Sequence, residues 1–128
     1  MGQTHTISRN NTNISRQGDD QIIVRLYDTD IVTIDRIHAK SDVGAQVLNR
    51  WDTGWRRNLL RITLDSGDWR TVTTKARINQ VASQYGLGFR VTQDKGKWWV
   101  TIAPHRYPAR FYDGIQFLVE ARFPEINR

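Results

Sequence analysis

The sequence predicts an α+β fold: an antiparallel, partly curled sheet of about five to seven strands with one principal helix near residues 74–85. Two observations carry that prediction. Alternating, β-branched runs recur from Ile22 to the C-terminal region, separated by short polar turns. Between them one stretch has clear helical spacing, with Ile78, Val81, Ala82 and Tyr85 at i, i+3, i+4 and i+7. A chain of 128 residues fits a single domain that can bury a sizeable core. That domain is expected over residues 21–128.

Residues 1–20 are rich in Asn, Thr, Ser, Gln and Gly, with only Ile7 and Ile14 strongly apolar, and predict a flexible N-terminal arm. The runs IIVRLY and IVTIDRI around Asp28-Thr29-Asp30 read as a hairpin. Asp28, Asp30 and Asp35 are better read as turn and strand carboxylates than as metal ligands, because no Glu or His follows at a ligand spacing. Residues 38–58 admit two readings, a short helix near 42–51 capped by Ser41 or a long excursion between strands. Leu60, Ile62 and Leu64 alternate as a strand, and after Asp65-Ser66-Gly67-Asp68 the segment Trp69–Thr73 is expected to pair back on it. The helix then begins at an N-cap of Thr73 or Thr74 and closes at Gly86. Phe89–Thr92 and Trp98–Ile102 form a hairpin whose Gly96 takes a positive φ; Pro104 and Pro108 bracket a loop, and Ile115–Phe123 is the last strand.

Charge separates the chain. Of 19 basic residues 15 are arginine, against 13 acidic ones, for a net +6. The first 49 residues carry five basic and six acidic groups, so the excess lies in the central and C-terminal parts. Arginine favours planar contacts to phosphate and carboxylate and stacks on aromatic or base faces. Cysteine is absent, which removes disulfides and thiolate metal sites. No apolar run approaches the length of a membrane span, and the N-terminal residues have no secretory h-region.

Chemistry-bearing residues gather in two places. Lys75 and Arg77 stand at the helix start, where the macrodipole disfavours cations. With Arg70 and the hydroxyls of Thr71, Thr73 and Thr74 they describe an anion site. The bland alternative has Thr74 capping while the cations point into solvent. Trp51, Trp55, Arg56 and Arg57 form an aromatic-basic cluster suited to stacking bases or clamping phosphates, or else two core tryptophans with basic neighbours. The histidines are scattered, the two glutamates lie near the C-terminus, and no nucleophile elbow or phosphate loop is present. The expectation is a protein without catalytic residues, cofactor or metal.

The run LDSGDWRTVTTKARINQ, preceded by Thr29-Asp30-Ile31-Val32 and followed by RVTQDKGKWWV, resembles a family of small uncharacterised proteins of tailed bacteriophages. Its signature is a strand, a Gly-Gly-Trp turn, Thr-x-Thr-Thr-Lys-x-Arg-hydrophobic-Asn opening a helix, and a hairpin with Gly-x-Trp. Gly67, Trp69, Thr71, Thr73, Thr74, Lys75, Arg77, Ile78 and Asn79 match; Asp68 stands where the second glycine usually is, and residues 38–58 look like an insertion. The resemblance implies a phage-encoded accessory protein of the host cytoplasm and no mechanism. From the residues, the first expectation is a partner in nucleic acid or a nucleoprotein. The alternatives are an inhibitor or adaptor of a host protein, of the anti-defence type, and a virion structural component.

Overall fold

The computed structural model describes residues 7–37, 59–103 and 107–126. Eight strands and a helix follow in the order β1 (Thr12–Gln17), β2 (Gln21–Leu26), β3 (Thr29–Arg36), β4 (Leu59–Leu64), α1 (Val72–Gln84), β5 (Phe89–Asp94), β6 (Lys97–Ile102), β7 (Ala109–Arg110) and β8 (Ile115–Glu120). The fold is α+β, as the pattern predicts, but its strands form two antiparallel sheets. The larger runs β1-β2-β3-β4-β8 and the smaller β5-β6-β7.

Period-2 alternation aligns whole rows of apolar side chains across the larger sheet. Ile22 lies opposite Ile34, Ile34 opposite Ile62, and Ile62 opposite Phe117. A second row joins Val24, Val32, Leu64 and Ile115. Because successive strand residues point to opposite faces, all of these turn to one side, where α1 and the smaller sheet cover them. In β3 the register jumps across Ile31, so that Ile31 and Val32 are both buried despite being neighbours. Phe89 of β5 meets Phe117 of β8 edge to face at 5.3 Å, which joins the two sheets in one core.

Three expectations are corrected. Residues 12–17 are not part of a free arm: β1 pairs with β2 from Thr12 opposite Leu26 to Gln17 opposite Gln21. A polar segment cannot fold by itself, but here it adds to a sheet margin already formed, buries Ile7 and lays Ile14 against the core. The backbone N–H groups of Ile7 and Ser8 donate to the Gln84 and Gln80 side chains of α1. The expected pairing of Trp69–Thr73 with β4 does not occur, since β4 lies between β3 and β8. Both large apolar side chains of that segment, Trp69 and Val72, are exposed, so a strand there would bury nothing. Gly67 and Asp68 both take positive φ, 60° and 66°, and turn the chain toward the helix instead.

The helix cap also differs from the expected Thr73 or Thr74. The cap is Thr71, extended at φ −98° and ψ 164°, with its Oγ1 accepting the Thr74 N–H at 3.1 Å. The helix therefore starts at Val72. Gly86, at φ 61°, closes the other end as expected: its N–H donates to Ser83 and that of buried Leu87 to Ala82. The segment expected as a short helix near 42–51 lies outside the described residues.

Candidate functional site

Trp51, Trp55, Arg56 and Arg57 lie outside the described residues. At the helix start the remaining predicted residues are placed one by one. Thr73 is exposed. Thr74 is buried, its hydroxyl 3.1 Å from that of Thr71. Lys75 reaches sideways to the Gln93 side chain at 3.4 Å. Arg70 lies over the Phe111 ring, 5.4 Å from its centroid. Arg77 is buried and donates to Gln80 Oε1 at 3.1 Å and to the Asn10 carbonyl at 3.4 Å. Burial lowers its pKa from the usual arginine value, the neighbouring Tyr27 phenol acting the other way. With Thr71 as cap, Arg77 belongs to the second turn, beyond most of the N-terminal dipole. The cations Arg70, Lys75 and Arg77 thus go to three different neighbours, and the structure does not gather them around one anion.

Much of the run that carries the phage resemblance serves to assemble the fold. Asn79 is buried on α1; its Nδ2 donates to the Val91 carbonyl and its Oδ1 accepts the Val91 N–H, both at 2.8 Å. A Cβ on Gly67 would overlap the Thr29 hydroxyl, so the threonine opening β3 leaves room only for a glycine after β4. Asp113 fastens the same turn: Oδ1 accepts the Ser66 N–H and hydroxyl at 2.8 and 2.7 Å, and Oδ2 accepts the Asp68 N–H at 3.2 Å. Burial would raise the Asp113 pKa, but these hydrogen bonds and the charge of Arg70 outweigh it and hold the carboxyl below its ordinary value.

Next to this turn lies a cleft of about 500 Å³ lined by Leu26, Tyr27, Thr29, Ser66, Trp69 and Thr73 among others. Tyr27 and Trp69, which line it, are 67% and 70% exposed, and Val72, the neighbour of its lining residues Thr71 and Thr73, is 76% exposed.

A different surface collects charge. Two adjacent tryptophans on a strand must face opposite ways, and in β6 Trp98 enters the core while Trp99 faces out. Thr92 of β5 lies opposite Trp99 on one side and Arg110 of β7 on the other. The Arg110 guanidinium sits over the Trp99 ring at 5.7 Å. On the same face the alternation places Lys97 and Thr101 of β6 and Arg90 and Asp94 of β5, Asp94 lying opposite Lys97. The half-buried Trp99 Nε1 has no hydrogen-bond partner among the described residues. Sequence reasoning passed over Arg90, Lys97, Trp99 and Arg110; the Trp98-Trp99 pair was the signal that could have found them.

A family model described as Kyanoviridae Gp96 protein matches residues 56–118, just under half of the chain. The match takes in β4, α1, both strands of the β5–β6 hairpin and β7, and so the whole of the Trp99 face. It is a likeness to a phage protein family. Neither a curated protein nor a solved structure is significantly similar to the chain. Among the described residues no helix is long and apolar enough to cross a membrane, and no three His, Asp or Glu residues are grouped to hold a metal.

Proposed function

We propose that this chain, similar over residues 56–118 to a phage protein family, is a non-enzymatic accessory protein of the host cytoplasm that binds nucleic acid. The observation that carries the reading is the Trp99 face: an aromatic ring flanked by Arg90, Lys97 and Arg110 on the outer side of the smaller sheet. Cations on a sheet meet phosphates, and the ring offers a π-face to a base. The basic-aromatic composition expected for Arg56, Arg57, Trp51 and Trp55 is thus present on a second, described surface. Fluorescence anisotropy with labelled DNA and RNA across a salt series tests the reading. Three phosphate contacts give a log–log salt slope of about −2 to −3. Lys97→Glu with Arg110→Glu should weaken binding by at least about tenfold at low salt. Binding that ignores both salt and these changes overturns it.

One observation favours a second reading, a protein partner. Trp and Tyr are over-represented in interface hot spots, and Trp69 and Tyr27 stand exposed at the cleft beside Val72. An adaptor or inhibitor of a host protein would use that opening. Trp69→Ala would then abolish capture of the host protein and leave nucleic-acid affinity intact.

A further inference from the structure

The geometry points to a single, unstacked strand as the nucleic acid taken by the Trp99 face, with one base laid on the indole; this rests on the nucleic-acid reading above. The face is built across three strands. Arg110 on β7 and Thr92 on β5 flank Trp99 on β6, directly opposite it in register. Lys97 stands two residues before Trp99 on its own strand, and Arg90 lies opposite Thr101, two residues beyond. Strand geometry puts such neighbours roughly 7 Å apart along β6. That spacing suits successive phosphates along a nucleic-acid backbone.

The aromatic group is what selects an unstacked strand. A duplex hides its base faces, so a ring standing on a sheet can stack only on a base that has left its helix. Thr92 and Arg110 lie directly opposite Trp99, and Lys97, Thr101, Arg90 and Asp94 stand beyond them on the same face, with no amide side chain to read base edges. Binding should therefore tolerate any sequence. The footprint is short: from Lys97 to the Thr101–Arg90 pair is four residues, roughly 13 Å, which spans two or three nucleotides of an extended strand.

The test uses the full chain and labelled twelve-nucleotide probes: oligothymidine, oligouridine, a mixed-sequence duplex and an abasic strand of equal charge. At one salt concentration the single strands should bind at least about tenfold tighter than the duplex and the abasic strand. Trp99→Leu should lower single-strand affinity by about tenfold while leaving the salt slope unchanged; Trp99→Phe should restore most of it, and Arg110→Gln should make the slope shallower. Equal or tighter duplex binding, or an abasic strand that binds as well as oligothymidine, overturns the single-strand assignment while salt-dependent binding leaves the broader reading standing. No salt-dependent binding to any probe overturns both. The abasic comparison uses the unaltered protein, so its outcome does not depend on whether a Trp99 variant folds. The thymidine and uridine arms separate DNA from RNA.

Discussion

Asn79 shows what a single side chain contributes when it replaces a piece of secondary structure. Its amide pairs both polar groups of Val91, and removing it leaves a buried N–H and a buried carbonyl without partners. Asn79→Ala should therefore cost about 2–4 kcal/mol in urea unfolding, far more than an average helix-surface change. Gly67 makes the complementary point, a residue needed for what it lacks. Gly67→Ala adds a methyl against Thr29 at φ 60°, a conformation that costs a non-glycine residue about 1 kcal/mol before any overlap. It should destabilise by more than that, and Thr29→Ala should recover the overlap part but not the backbone part; a double-mutant cycle of unfolding free energies separates the two. Neither role was legible in the sequence. Asn79 sits in a helix whose periodicity reports its apolar face only, and nothing in a turn glycine names the residue it must clear.

Among the elements, α1 was the most legible, because its apolar stripe repeats over two turns and its closing glycine is unambiguous. Its start was misjudged, since three threonines could each cap and only the backbone at Thr71 has the extended geometry. Thr71→Ala should cost about 1 kcal/mol of stability. The first turn contains no acidic residue, so Thr73→Glu, at an exposed position, should add about 0.3–1 kcal/mol at low salt and less at high salt. The turn leading into α1 responds to acid. Because the folded state holds the Asp113 pKa below the ordinary 3.8, its stabilisation is complete above that pH and drains away as the pH falls through the lowered value. Wild type and Asp113→Asn, compared by thermal unfolding from pH 7 downward, should therefore converge in acid. A gap that widens on acidification contradicts the assignment. β1 was missed for a different reason: composition measures what a segment can bury alone, and β1 borrows both its hydrogen bonds and its core from β2.

At the scale of the molecule, the fold class followed from the alternating runs, but the division into two sheets did not, because it depends on where α1 carries the chain between β4 and β5. The same crossing decides which charged residues meet. Arg90, Lys97 and Arg110 are spread over 21 residues of sequence and converge only through the registers of β5, β6 and β7, whereas Arg70, Lys75 and Arg77, close in sequence, diverge. Proximity along the chain is thus a poor guide to which cations share a surface. The Asn79 contact also has a meaning for the population of molecules. β5 borders its sheet, and such a margin recruits strands from other copies unless something occupies it. The helix amide occupies the Val91 groups that an incoming strand would need. With that amide removed the margin is open at Val91, and Asn79→Ala should sediment with a larger concentration-dependent oligomer fraction than the unaltered chain.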